Sequence, residues 1–106
     1  MREIKLRAWD TKANYMVAEY FQLKNTPKRY ILLQFTGLRD KNGREIYEGD
    51  ILKFDYGIEV GIGLARVHFL DGGFWLRVNN HNFMPSAEVR EIIGNIYENS
   101  ELLKAS

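Results

Sequence analysis

Turn residues interrupt this chain of 106 residues so often that short strands, rather than helices, must carry the fold. In the string FLDGGFWLRV, residues 69–78, an Asp-Gly-Gly turn at 71–73 separates two apolar runs, and Phe74, Leu76 and Val78 share one face of the second. Glycine accepts positive φ without a Cβ clash, so this pattern predicts a tight hairpin. Asp40 with the Asn42-Gly43 pair predicts a second reversal, and Gly49 a bend just before the run DILKFD at 50–55.

The stretches between turns read as strands. IKLRAWD at 4–10 alternates Ile4, Leu6 and Ala8 with Lys5, Arg7 and Trp9, and period two marks a strand with one buried face. NYMVAEYF at 14–21 follows as its hairpin partner, and KNTPKR at 24–29 is a loop broken by Pro27. YILLQFTG at 30–37 is apolar enough to predict a buried strand. IEVGIGLARVHFL at 58–70 fits a strand with a slip near Ala65, where a β-bulge would sit beside Gly61 and Gly63. NNHNFMPSAE at 79–88 reads as loop, and EVREIIGNIYE at 88–98 as a last strand in which Gly94 marks a bend or a close backbone approach. Asn99 is placed to cap a short helix, SELLK, with Glu101 in its first turn and Leu102 and Leu103 laid against a sheet. About seven short strands with a turn roughly every 8–12 residues predict an all-β, SH3-like, partly closed barrel of curled antiparallel strands with a short C-terminal helix, one domain over residues 1–106.

Composition narrows the class of function. With 45% hydrophobic and 27% charged residues and two prolines, the chain is an ordinary globular one. Its apolar runs fall far short of the roughly 20 residues that span a bilayer, and the charged start MREIKLRAWD lacks the apolar core of an export signal. The expected setting is therefore the cytoplasm, with no membrane partner. The chain has no cysteine, which removes disulfides, thiolate metal sites and cysteine nucleophiles. Net charge is only +1, yet residues 1–53 carry 11 Lys and Arg against 7 Asp and Glu, while residues 54–106 carry 4 against 7. Lys24, Lys28 and Arg29 at one turn and Arg39, Lys41 and Arg44 at another form the basic clusters, although scattered solvated charge is the plainer reading of them.

Patterns that carry catalysis are weak. GIGLAR at 61–66 has Arg66 where a dinucleotide-binding loop needs its third glycine, and it lacks a βαβ setting. His68 falls opposite the core face of its strand and His81 in a polar loop, the ordinary places of histidines with no catalytic duty. Glu45, Glu48 and Asp50 cluster within EIYEGD, but metal sites converge from several strands, and Asp50 beside Gly49 reads better as a turn residue bonding nearby backbone N–H groups. No catalytic residue, metal or cofactor is expected. The more informative feature is aromatic: Trp9, Phe21, Tyr47, Tyr56 and Trp75 fall on presumed solvent faces or in turns. Small barrels bind single strands on aromatics with basic neighbours, so Arg7, Trp9, Lys53, Trp75 and Arg77 form a candidate surface for nucleic acid or another partner. A second small core or an oligomer seam would use the same aromatics.

Three segments, MREIKLRAWD at the start, FTGLRDKNGREIYEGDIL at 35–52 and EIIGNIYENSELL at 91–103, together resemble the YopX family of phage and prophage proteins. The resemblance lies in their order and spacing, and its structural positions are Gly37, Asp40, Gly43, Tyr47, Gly49, Asp50, Gly94 and Asn95. Leu6 stands where the family commonly has an aromatic and Ser100 where it commonly has proline, which slightly weakens helix initiation. The resemblance implies a small, mostly β fold with a barrel-like core, a phage origin and a bacterial cytoplasmic setting, and it supplies no catalytic residues. The resulting expectation is a phage or prophage accessory module that binds nucleic acid or a protein. One alternative is a homo-oligomeric assembly element, in which the basic half of one copy meets the acidic half of another. The other is a Mg²⁺-dependent enzyme acting on nucleic acid through Glu48 and Asp50.

Overall fold

The Asp-Gly turn at 71–72 organises the larger of two antiparallel sheets. In the computed structural model, which describes residues 5–20, 25–55, 62–78, 81–83 and 91–104, strand β6 (Ile62–Leu70) returns as β7 (Gly73–Val78). Asp71 and Gly72 both adopt positive φ, 51° and 82°, as a two-residue type I′ turn requires to match the twist of its strands. Gly73 already belongs to β7, paired with Leu70.

The other elements are β1 (Leu6–Asp10), β2 (Tyr15–Tyr20), β3 (Tyr30–Arg39), β4 (Glu45–Tyr47), β5 (Asp50–Asp55), β8 (His81–Phe83), β9 (Glu91–Asn95) and one helical turn, α1 (Glu101–Lys104). The strands pair antiparallel as a four-stranded sheet in the order β2-β1-β3-β4 and a five-stranded sheet in the order β8-β7-β6-β5-β9. The fold is all-β, and the expected partly closed barrel takes the form of two sheets, one of them a curled half-barrel.

Core packing follows the period-two pattern. Leu52, Ala65, Val67, Leu76 and Ile92 project from the inner face of the five-stranded sheet and cluster with Ile46 of β4, with Leu38 and Phe74 packed alongside. Burying each large aliphatic side chain contributes about 1.5–3 kcal/mol, so this cluster is what holds β4 against the larger sheet.

Several local expectations change. β6 runs without a slip, in unbroken register with β5 and β7, because Ala65 is a small core residue on the same face as Val67. Phe69, on the same face as Val67, is 48% exposed near the hairpin end and stacks edge-on with Phe74, centroids 5.2 Å apart. The irregularity lies in the β5–β9 pair: Ile51 faces Gly94 and Leu52 faces Ile92, leaving Ile93 as the extra residue. β3 is half exposed rather than buried, with only Leu33 and Thr36 fully enclosed, since β1 covers its first half and β4 its second. His81 lies in the short strand β8, not in a loop. The Asn99 side chain does not cap α1; it turns back and its Oδ1 accepts the Asn95 N–H at 3.1 Å. Phe21, Lys24, Tyr56 and Gly61 lie outside the described residues.

Candidate functional site

The YopX-like positions converge on the seam between the two sheets. In β3, Phe35 pairs with Tyr47 and Arg39 with Glu45, so residues 36–38 face a single residue of β4. The Thr36 hydroxyl spans this bulge, donating to the Ile46 carbonyl at 2.8 Å and accepting the Leu38 N–H at 3.1 Å, with Gly37 at the kink. In the turn that follows, Asp40 Oδ1 accepts the N–H groups of Asn42 and Arg44, both at 2.9 Å, and Gly43 closes it by donating to the Asp40 carbonyl. Asp40 Oδ2 accepts the N–H of Ile92 at 3.1 Å, which ties this turn to β9. Burial would raise the Asp40 carboxyl, but the Ile92, Arg44 and Asn42 N–H groups outweigh it and hold the group below its ordinary value.

Gly49 joins three elements. Glu48 donates its N–H to the Gln34 carbonyl in β3, Gly49 donates to Val67 in β6, and the Gly49 carbonyl accepts from Ile96 just beyond β9, at 2.9, 2.8 and 2.9 Å. Its φ is +89°, and a Cβ there would stand 3.1 Å from the Tyr97 ring. Glycine is needed for both reasons. Asp50, 1% exposed, accepts the Tyr47 N–H at 2.8 Å through Oδ2, the turn role its sequence suggested. It also accepts a guanidinium N–H from Arg7 of β1, an ion pair the sequence did not reveal. Burial pushes the Asp50 carboxyl up, against the pull of Arg7 and the Tyr47 N–H. At the C-terminal side, Asn95 Oδ1 accepts the N–H groups of Tyr97 and Glu98 at 3.0 and 2.8 Å. Gly94 is required by proximity: a Cβ there would lie 2.5 Å from Asn99 Oδ1.

Arg7 and Trp9, expected on a solvent face, are turned inward. Trp9 is only 7% exposed and stacks on Tyr97, centroids 5.6 Å apart, because the turn after β9 covers that face of β1. Arg7 lies 4.6 Å above the ring of Tyr47, itself buried. Arg7 and Tyr47 do border a groove of about 670 Å³ between β1, β2 and β4, but its charges answer one another. Glu45 takes Lys5 at 2.7 Å, Arg39 at 3.5 Å and the Tyr47 hydroxyl at 3.4 Å. The Lys5 hydrogen bond leads the influences that lower the Glu45 carboxyl, and burial raises the Tyr47 phenol. The expected basic clusters are similarly answered: Arg29 lies 3.4 Å from Asp10 and Lys41 3.7 Å from Glu91.

The other three candidates, Lys53, Trp75 and Arg77, share the outer face of the five-stranded sheet. Since Leu52, Ala65, Val67 and Leu76 point to the core, the alternate positions Lys53, Arg66, His68, Trp75 and Arg77 project from the opposite side, which is closed around Ile51, the fully buried partner of Arg66 on β5. The register sets Arg66 directly against Arg77 and His68 directly against Trp75. Trp75 is half-buried and its indole N–H donates to the Leu70 carbonyl at 3.2 Å. Lys53 is exposed and faces Glu91 across the β5–β9 pair. Sequence reading places His68 opposite the core face of its strand, as the register does, but names neither Arg66 nor His68 among the binding candidates.

The carboxylates of EIYEGD, read as no metal site, turn to separate partners. Glu45 turns to Lys5, Asp50 to Arg7, and Glu48 Oε1 to the Gln34 N–H at 3.3 Å. Among the described residues no group of three His, Asp or Glu side chains comes together to hold a metal ion, and no helix is long and apolar enough to cross a membrane.

A family model described as YopX protein matches residues 19–104. The chain belongs to the YopX family. Among solved structures, it is similar to the crystal structure of protein EF1440 from Enterococcus faecalis, with a TM-score of 0.74 and 28% identity over 97% of this chain and 99% of that one. No curated protein matches it. The YopX segments recognisable in the sequence are thus those that build the seam, whereas the arginine row lies between them, on β6 and β7.

Proposed function

We propose that this YopX chain is a non-catalytic accessory module that binds nucleic acid on the outer face of its five-stranded sheet, working for a phage or prophage in the bacterial cytoplasm. The observation that carries the reading is the registered pair Arg66–Arg77 beside Trp75, His68 and Lys53. Guanidinium groups pair with phosphate oxygens in a planar, bidentate geometry, so arginines at neighbouring register positions suit a phosphate-bearing ligand. The scaffold is read as an SH3-like small barrel, an architecture in which strand faces and loops can take a ligand. The separate partners of Glu45, Glu48 and Asp50 favour binding over hydrolysis.

Fluorescence anisotropy with labelled oligonucleotides across a salt series tests this. Binding in the micromolar range should weaken steeply with salt, and Arg77→Ser should lower the salt slope by about one counterion. Incubation with Mg²⁺ should leave the oligonucleotide intact. Absence of binding at low salt would move the assignment to a protein partner or a second copy of the chain, and Mg²⁺-dependent cleavage abolished by Asp50→Asn would make it an enzyme.

A further inference from the structure

We infer that the groove between β1, β2 and β4 is a binding site in its own right, taking a small amphipathic carboxylate: a molecule with one anionic head and a short apolar body. The groove belongs to the four-stranded sheet, away from the face assigned to nucleic acid, and does not depend on that reading. Its size suits the ligand. A volume of about 670 Å³ falls within the range of roughly 300–1,000 Å³ found for small-molecule sites.

The pairing of charge in the groove is uneven. Lys5 and Arg39 turn to the same oxygen of Glu45, at 2.7 and 3.5 Å, so two cations share one carboxylate. Arg39 holds the longer contact, its side chain is 58% exposed, and its other partner is the uncharged Gly43 carbonyl at 3.0 Å. A guanidinium is a fork of several N–H donors that matches a carboxylate in bidentate geometry, and Arg39 has donors to spare. Arg44, on the same turn, forms no ion pair among the described residues; its contact is with the Ile92 carbonyl at 3.5 Å. The field at this end of the groove is therefore positive. Arg7 adds nothing to it, being matched by Asp50.

The other wall sorts the rest of the ligand. Leu6 of β1 and Met16 and Ala18 of β2 give it an apolar lining. Register slips here, so that Arg7 faces both Ala18 and Glu19, and the small, exposed Ala18 leaves the groove unfilled. Glu19, exposed at the same bulge, repels an anion on its own side. The head group is thereby directed to Arg39, and the apolar body to Leu6, Met16 and Ala18.

The test titrates octanoate, octylammonium and inorganic phosphate into the ¹⁵N-labelled chain at neutral pH, following the backbone amide signals of Arg7, Ala18, Arg39 and Tyr47. Octanoate should shift them saturably and bind at least about tenfold tighter than octylammonium, while phosphate, which lacks an apolar body, should bind more weakly than octanoate. Arg39→Gln should cost octanoate about tenfold, the loss expected for a hydrogen-bonded charge, and Arg39→Lys should recover part of it. Ala18→Trp fills the groove from an exposed position and should abolish saturable binding. A cooperative urea transition at the wild-type midpoint establishes that each variant is folded. Octylammonium binding as tightly as octanoate, or a folded Arg39→Gln variant with unchanged octanoate affinity, overturns the anionic head. Absence of saturable shifts with all three probes overturns the site.

Discussion

At the seam between the sheets, buried acceptors are matched to donors several at a time: Asp40 takes three N–H groups and Asn95 Oδ1 takes two. On the far side of β6 and β7, Arg66 is set against Arg77 and His68 against Trp75, residues that take no part in the core cluster. The first region serves folding, and the second is where the proposed binding is placed. Stability and binding should therefore separate cleanly by mutation, and the variants below probe that separation in order of falling effect.

Gly49→Val should be the most damaging. A β-branched side chain at φ +89° costs about 1–3 kcal/mol in backbone strain, and its Cβ, 3.1 Å from the Tyr97 ring, adds a further ~1–3 kcal/mol of overpacking. Together these approach the whole stability of a small domain. Loss of a cooperative urea transition is expected; a variant with the wild-type midpoint would show that the two sheets do not depend on the Gly49 junction.

Arg7→Met comes next, at about 3–5 kcal/mol, because it leaves the Asp50 carboxylate buried without its cation. The penalty should depend on pH. With the cation gone, the folded carboxyl rises further above its unfolded value, so the folded state holds a proton that the unfolded state releases, and stability falls as pH climbs through that window. Urea midpoints at pH 5 and pH 8 should show a distinctly smaller deficit at the lower pH, and equal deficits would mean that Asp50 finds another partner.

The sequence made the seam legible only in part, for a physical reason. Asp40, Gly43 and Gly49 declared themselves because tight turns demand their residue types, and Asp50 was assigned its backbone bond correctly from Gly49 beside it. Arg7 and Trp9 were placed in solvent because period two was read as one buried face, whereas β1 lies between β2 and β3 and its second face is covered by the Tyr97 turn. Covering by a segment nearly ninety residues away leaves no trace in local alternation. The far side of β6 and β7 posed the reverse problem. β6 and β7 alternate plainly, but two glycines invited a bulge that the register does not contain.

Asp40→Asn should cost less, about 1–3 kcal/mol, since the amide keeps one acceptor oxygen and turns a donor toward an N–H that loses its partner. Because its carboxyl is held low in the folded chain, the wild-type contribution is complete above the ordinary value of 3.8 and is lost as pH falls through the lower folded value. The acid limb of a stability–pH curve should accordingly be shallower in the variant, and an unchanged limb would assign the acid sensitivity to other carboxylates.

Arg66→Gln should be the smallest change in stability and the most telling. Removing one of two directly opposed cations relieves a repulsion of about 0.2–1 kcal/mol, so the melting temperature should hold or rise slightly. If the row exists to hold phosphate, the same substitution should weaken oligonucleotide binding and flatten its salt dependence. A stabilised protein that binds less well is the outcome that separates the two regions. A destabilised one would mean that Arg66 supports the sheet through contacts of its own, and that the outer face was shaped by folding after all.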